Sequence, residues 1–338
     1  MKKIIHNILM SPYQMSLITI LLWSTQALVL SKAFSKTHFS AILFPAFFTS
    51  SIFFMIYKSL FIKKSITEVT KLFKNEIKYL SFGIVFYFLY HYLLFAAINI
   101  GPKIEANLAN FLWPLFFILF GYLTLNNKFI NSSIGQKFSR VISRIFGNTQ
   151  VMPEQIYFNK CKIFKLILGF CGIVLIVTHN NLFSLDLTTG KGPLLGLCAA
   201  LCWALFSIYL KFIGDITYIA TFTGGSTILY FIFWLHSGAP DIFSTLPHSI
   251  YLGLFPLGFA MILWEKSIKE GHTKKIGTIA FLAPIFSTAL LVIFKIEQLN
   301  RISLIGAILI IFSNISFEEL YKKIKQISLK RTLNLYLD

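Results

Sequence analysis

The sequence predicts an all-α, polytopic membrane protein with about ten transmembrane helices in two inverted five-helix repeats. Three observations support this fold class. First, 56% of the 338 residues are hydrophobic and only 13% are charged, against about 25% charged residues in soluble domains. Second, the apolar residues form runs of about 20, the length that crosses a bilayer as a helix. Third, the basic residues lie between these runs, mostly on one predicted side of the membrane.

Ten apolar runs are interpreted as spans 1 to 10. They cover residues 15–34, 39–57, 79–98, 106–125, 163–178, 192–212, 216–236, 249–267, 276–294 and 302–317. The first run is interpreted as a retained span, because no small-residue cleavage site follows it. The tenth is the weakest, because its uncharged run has only 16 residues, fewer than the about 20 that cross a bilayer.

The distribution of Lys and Arg predicts the orientation. With a cytoplasmic N-terminus, 25 of the 31 basic residues lie in cytoplasmic segments and 6 lie outside. Cytoplasmic loops of membrane proteins carry such an excess of positive charge. The sequence therefore predicts a multi-pass protein of a bacterial-type inner membrane with both termini in the cytoplasm. The net charge of +18 is assigned to this asymmetry, and no nucleic acid partner is expected.

Two segments of the chain match each other without gaps. Residues 110–114 (Asn-Phe-Leu-Trp-Pro) resemble residues 280–284 (Ala-Phe-Leu-Ala-Pro), and Trp23 pairs in the same manner with Trp203. Equivalent loops of the two halves carry opposite charge bias, as expected when an odd number of spans inverts the second copy. The predicted organisation is a first repeat at 1–178, a second repeat at 179–320 and a basic cytoplasmic tail at 321–338.

The first repeat carries an insertion at residues 126–162. Its apolar and basic residues separate onto two helical faces, with Ile134, Phe138 and Ile142 on one face and Lys137 and Arg140 on the other. This pattern is typical of a helix that lies on the membrane surface. Anchoring to lipid headgroups is the first interpretation, and docking of a regulatory partner is the alternative.

Ten spans in two inverted halves, with paired Pro114 and Pro284, resemble the drug/metabolite transporter superfamily and its EamA-type carriers. Glu297, which follows the ninth span, resembles the acidic residue that this superfamily often carries there. A narrower resemblance is to the aromatic amino acid exporters of the superfamily. It rests on the pairs Tyr90-His91 and Trp113-Pro114 and on the tryptophans of spans 1 and 6.

Polar groups at membrane depth are costly unless they are satisfied, so they often mark transport pathways. The candidate site combines such groups with aromatic rings that can stack on a flat solute. Packing between helices is the alternative for each of these residues. The predicted substrate-binding residues are Trp23, Gln26, Tyr90, His91, Asn107, Asn110, Trp113, Trp203 and Ser207. Pro114 and Pro284 are predicted hinges, and Trp264 is expected to anchor span 8 at the membrane interface.

The predicted function is secondary transport by alternating access of a small solute that bears an amino acid group and a planar or sulfonium end. Aromatic amino acids fit the resemblance best. Transport or exchange of S-adenosylmethionine and S-adenosylhomocysteine is the alternative solute class, and a non-transporting membrane scaffold is the alternative kind of protein. The expected partners are the substrate, membrane lipid, and a proton or counter-solute. No enzyme, metal or cofactor motif is found.

Overall fold

The computed structural model describes residues 10–34, 37–61, 66–125, 187–213, 216–271, 282–298 and 301–314, with single positions in 164–175 and 276–280. Every regular element in these ranges is helical, which confirms the predicted all-α fold. The helices of these ranges are α1 Pro12–Ser24, α2 Gln26–Phe34, α3 Ser40–Phe61, α4 Ile66–Ile100, α5 Lys103–Asn110, α6 Trp113–Leu125, α7 Leu187–Ile213, α8 Ile216–His236, α9 Leu246–Leu254, α10 Ala260–Glu270, α11 Leu282–Ile293 and α12 Arg301–Asn314.

The described helices follow the predicted spans closely. Six apolar segments are long enough to cross a membrane within the described ranges: Pro12–Phe34, Ser40–Phe61, Leu80–Ile100, Gly190–Leu210, Tyr218–His236 and Phe243–Glu270. Two shorter apolar helices lie in spans 9 and 10. The described positions of span 5 are helical. The insertion at 126–162 and the tail at 321–338 lie outside the described residues.

The first span begins with a strong start signal and is divided near its middle. The Ser11 side chain accepts a hydrogen bond from the Gln14 backbone N–H, and the Gln14 side chain accepts one from the Ser11 N–H. This reciprocal pair is a capping box, and Pro12 suits the first helical turn. Thr25 separates α1 from α2 and donates its hydroxyl to the Leu22 carbonyl (2.7 Å). The division places Trp23 and Gln26 on either side of it.

Span 4 is divided at the position where the sequence predicts a kink. Helix α5 ends at Asn110, and α6 begins at Trp113 immediately before Pro114. Proline has no N–H to continue the ladder of a preceding helix. The backbone crosses the break through short-range bonds, among them Leu112 N–H to the Ala109 carbonyl (3.2 Å). A divided helix in a membrane protein needs protein neighbours to satisfy its backbone, so this segment belongs in the interior.

Span 8 contains a π-helical turn, Phe255–Phe259, between α9 and α10. Pro256 stands second in this turn and removes one backbone donor. Side chains of the first two spans donate to its backbone: Trp23 Nε1 to the Pro256 carbonyl (3.0 Å) and Ser50 Oγ to the Leu257 carbonyl (2.9 Å). Such turns occur frequently at functional sites. This turn was not predicted from the amino-acid pattern.

The outer surface of the bundle is apolar and its interior holds polar residues. Met55, Ile228, Phe243 and Ile293 each have at least 63% of their surface exposed. A soluble monomer rarely exposes a contiguous apolar surface of this kind, whereas lipid solvates it. Buried polar side chains such as Asn107 lie inside. This arrangement is the one that a multi-pass membrane protein requires.

Glycines allow α7 to approach α5 and the end of α4 very closely. A Cβ added at Gly101 would lie 2.5 Å from Gly192 Cα, and one added at Gly196 would lie 2.2 Å from the Ala106 carbonyl oxygen. Small residues at membrane helix contacts permit this close packing. The contact fixes α5, which carries Asn107 and Asn110, against a helix of the second half.

Candidate functional site

A cavity lies between helices of both halves, at the breaks of spans 1 and 4 and beside the π-turn of span 8. Its volume is about 20 Å³, slightly more than one water molecule requires. Its walls come from α1, α2, α4, α5, α6, α7 and α10, together with the backbone breaks. The lining residues are Trp23, Gln26, Ala27, Tyr90, His91, Leu94, Ile98, Asn107, Asn110, Phe111, Trp113, Trp203, Leu257 and Met261.

The structure brings all but one of the predicted substrate-binding residues to this cavity. Ser207 does not line it; the Ser207 side chain is buried on α7 and its hydroxyl has no hydrogen-bond partner among the described residues. Phe206, the preceding residue on α7, packs its ring on the ring of Tyr87, with 5.1 Å between the two centroids. Of the predicted hinges, Pro114 follows the break of span 4 and Pro284 is buried near the start of α11.

Sequence reasoning missed the contribution of span 8. Leu257 in the π-turn and Met261 in α10 line the cavity. Neither residue is polar or aromatic, so neither carries a signal that separates it from ordinary packing. The proline at position 256 was the available signal, because a proline within a span often marks irregular backbone at a cavity.

Four tryptophans pack around this cavity. Trp23 has an edge-to-face contact with Trp203 (5.3 Å between centroids) and a tilted contact with Trp264 (5.1 Å), and Trp113 packs edge-on against Trp264 (5.7 Å). Trp264 is only 1% exposed. The expectation that it anchors the span at the interface is therefore wrong, because its ring fills the space between Trp23 and Trp113. Edge-to-face packing holds each ring in a defined orientation.

His91 lies among aromatic rings in the wall of the cavity. Its Nδ1 donates to the Tyr87 carbonyl oxygen, which can only accept (2.9 Å). In the neutral imidazole this arrangement leaves Nε2 as an acceptor. The rings of Phe47, Tyr87 and Tyr90 lie within 5.0 Å of the imidazole centroid. The contacts fix the position of the ring on α4.

Three buried amide side chains line the cavity and differ in their hydrogen bonds. Asn107 Nδ2 donates to Ser287 Oγ of α11 (2.6 Å), which joins the two halves. Among the described residues, Gln26 Nε2 and Asn110 Oδ1 have no hydrogen-bond partner. The Tyr90 hydroxyl approaches the Asn110 amide without bonding to this oxygen. Beside the His91 Nε2 acceptor, these two amides therefore add one unused donor and one unused acceptor to the cavity walls.

The described residues that line the cavity include no Asp, Glu, Lys or Arg, and the described part of the chain has no group of three or more potential metal ligands. The acidic side chain of Glu297 is not among the lining residues and takes part in a different contact. Glu297 accepts a hydrogen bond from the Ile104 N–H (2.7 Å), which ties the start of α5 to the segment after α11. Burial raises the pKa of Glu297, and the backbone hydrogen bond partly opposes that shift.

The profile of the EamA-like transporter family matches the chain twice, at residues 10–135 and 190–316, which together make up most of its length. The chain belongs to the EamA-like transporter family. The resemblance to the drug/metabolite transporter superfamily is thereby confirmed, and the EamA assignment agrees with a multi-pass membrane protein of about ten helices.

Two curated relatives resemble this EamA chain. The aromatic amino acid exporter YddG of Ancylobacter novellus is 24% identical over 217 residues, which cover 62% of this chain and 65% of the relative. The "uncharacterized transporter YvbV" of Bacillus subtilis is 30% identical over 164 residues, 45% of this chain and 52% of the relative. The matches therefore span between half and two thirds of the relatives' lengths.

One solved crystal structure has the same fold. It aligns with 90% of this chain and 94% of its own, with a TM-score of 0.59 and 19% sequence identity. At this identity the likeness concerns the fold alone.

Proposed function

We propose that this EamA protein is a secondary transporter of aromatic amino acids that works by alternating access around the tryptophan-lined cavity. The observation that carries the proposal is the cavity itself, in which three tryptophans and three uncharged amide side chains meet between the two halves. The similarity to an exporter of aromatic amino acids supports it. We propose transport rather than catalysis.

The chemistry of the lining favours an aromatic solute without net charge. Trp23, Trp113 and Trp203 offer faces and edges for stacking on a planar ring. The lining residues that the structure describes include no Asp or Glu, so among them a solute of net positive charge, such as S-adenosylmethionine, finds no counter-charge at membrane depth. An aromatic amino acid is a zwitterion whose charges balance. It is therefore favoured over the sulfonium solute.

The small size of the cavity implies that the described conformation is closed. A space of about 20 Å³ holds about one water molecule and not an indole ring. Substrate entry requires the halves to separate on one side. Besides the close packing against α7, two hydrogen bonds among the described residues join α5 to α11 and the segment after it, Asn107 to Ser287 and Ile104 to Glu297. We propose that these contacts open and reform during the transport cycle.

The test is uptake of labelled tryptophan and labelled S-adenosylmethionine into proteoliposomes. We expect saturable tryptophan uptake that falls at least tenfold in Trp113→Ala and His91→Ala, because each removes a wall of the cavity. Trp234→Ala is the matched control, since Trp234 lies at the end of α8 and donates to the Pro240 carbonyl away from the cavity. Uptake of neither solute, or variants that transport as well as wild type, would contradict the proposal and favour a scaffold.

The same uptake assay tests whether transport is coupled to a proton or to a counter-solute. We propose that a proton or a counter-solute can accompany the substrate, and His91 is the titratable cavity residue that a proton would require. A pH gradient that neither drives nor slows tryptophan uptake would contradict coupling to a proton through His91. Stimulation by unlabelled tryptophan on the opposite side would identify exchange.

A further inference from the structure

The polar atoms of the cavity fall into two groups, those already engaged and those that are not. His91 Nδ1, Asn107 Nδ2 and Trp23 Nε1 each donate to a protein oxygen. Gln26 Nε2 and Asn110 Oδ1 have no partner among the described residues, although Gln26 is 7% exposed and Asn110 is 3% exposed. Buried polar atoms without partners are rare and costly. Two such atoms in one cavity wall are free to hydrogen-bond a polar ligand.

The two unused atoms have opposite polarity. An amide Nε2 donates hydrogen bonds and an amide Oδ1 accepts them. A carboxylate only accepts and an ammonium only donates, so each unused atom suits one charged group of an α-amino acid. The described lining residues carry no charged side chain, so among them neither group of the solute would meet a full opposite charge. Such a site suits a solute whose two charges cancel.

We propose that Gln26 and Asn110 determine recognition of the amino acid end of the substrate. Gln26 Nε2 donates to the carboxylate, and Asn110 Oδ1 accepts from the ammonium. The tryptophan rings then hold the aromatic end on the other side of the cavity. This inference rests on the proposed transport of aromatic amino acids, because it specifies how the same cavity selects the zwitterion.

The experiment compares three inhibitors of labelled tryptophan uptake into proteoliposomes. Unlabelled tryptophan has both charged groups, tryptamine lacks the carboxylate and indole-3-propionate lacks the ammonium. The variants are Gln26→Met, which keeps the length of the side chain without its donor, and Asn110→Leu, which removes the acceptor. The readout is the ratio of inhibition constants, which does not depend on how much of each variant folds.

We expect each variant to weaken tryptophan and one of the two analogues, and the affected analogue to differ between the variants. Gln26→Met weakens tryptophan and indole-3-propionate about tenfold, the size expected for a lost hydrogen bond to a charged group, and leaves tryptamine unchanged. Asn110→Leu weakens tryptophan and tryptamine about tenfold and leaves indole-3-propionate unchanged. Ser16→Ala is the control, because the Ser16 hydroxyl is also buried without a partner among the described residues but lies outside the cavity. It should change no ratio.

The outcomes separate this inference from the proposed function. If wild-type protein takes up no tryptophan, both the function and the recognition mode are wrong. If wild type transports tryptophan but each variant weakens all three compounds equally, the function stands and the two amides only support packing. A pattern in which the two variants exchange their effects would also overturn the assignment, because it would reverse the orientation of the solute.

Discussion

Asn107 shows how one side chain can belong both to the cavity and to the contact between the halves. Its amide lines the cavity, and its Nδ2 donates to Ser287 of α11 at 2.6 Å. Both side chains are at most 4% exposed. A ligand that accepted the same Nδ2 hydrogen would compete with Ser287, whereas the second N–H and the Oδ1 of the amide stay available. The residue is therefore a point at which substrate binding can affect the closed state.

The strength of this bond can be measured by a double-mutant cycle. We expect a coupling free energy of about 0.6 kcal/mol between Asn107→Ala and Ser287→Ala, and no more than about 1.7 kcal/mol, as found for buried hydrogen bonds in membranes. The unfolding free energy in mixed micelles provides the measurement. Additive effects of the two substitutions would show that the contact does not hold the closed state.

At this scale the sequence predicted many of the residues that line the cavity. Polarity at membrane depth identified Gln26, His91 and Asn110, and the pairing of the two halves identified Trp23 and Trp203. The role of Trp264 was misjudged because a tryptophan near the end of an apolar run is common at interfaces. Only the three-dimensional structure shows that it packs against Trp23 at 5.1 Å. Ser207 follows Trp203 at a spacing that places both residues on one face of a helix, but only Trp203 lines the cavity. The position along the helix at which a face meets the cavity depends on packing that the sequence does not show.

Among the helices, the contact between α7 and α5 depends on backbone proximity. A Cβ at Gly196 would meet the Ala106 carbonyl oxygen at 2.2 Å, and backbone cannot move aside as a flexible side chain can. The same close packing against α7 places α5, and with it Asn107 and Asn110, beside the cavity. Packing at this contact and the geometry of the cavity are therefore linked.

A pair of glycine substitutions tests this link. Gly196→Ala should destabilise the protein by about 1–3 kcal/mol, the usual effect of overpacking. Gly224→Ala in α8 should be neutral or slightly stabilising, because nothing lies within 4 Å of its added Cβ and alanine favours helix more than glycine. Thermal unfolding in detergent compares the two. Equal midpoints would show that the helices can separate without loss of stability.

The helices themselves were predictable because uncharged runs have the length of the bilayer. The predicted bounds of span 7, 216–236, are those of α8, and span 2 differs by a few residues at its ends. The breaks were harder to predict. Pro114 indicated the division of span 4, whereas the division at Thr25 and the π-turn at Phe255–Phe259 depend on hydrogen bonds from other spans. A single sequence does not reveal such partners.

On the scale of the whole molecule, the family profile matches two segments of similar length. The inversion of one segment relative to the other remains a prediction from loop charges, as does the location of both termini in the cytoplasm. We propose this orientation in the inner membrane because 25 of the 31 basic residues fall on one predicted side.

Labelling of single cysteines in a cysteine-free background tests the orientation. A cysteine at Ser244, in the segment after α8, should react with a membrane-impermeant maleimide in intact cells. A cysteine at Lys266, near the end of α10, should react only after the membrane is opened. The two positions lie at opposite ends of span 8. The reverse pattern of labelling would place the termini outside.

The narrowness of the closed cavity has a consequence for the cell that houses the protein. Protons and small ions cross a protein most readily along a continuous chain of water molecules, and apolar constrictions interrupt such chains. A cavity of about 20 Å³ with tryptophan rings in its walls is too small to hold such a chain. We therefore expect that this cavity, in the described conformation, conducts neither protons nor ions, which would let a cell maintain its membrane potential while the protein is idle.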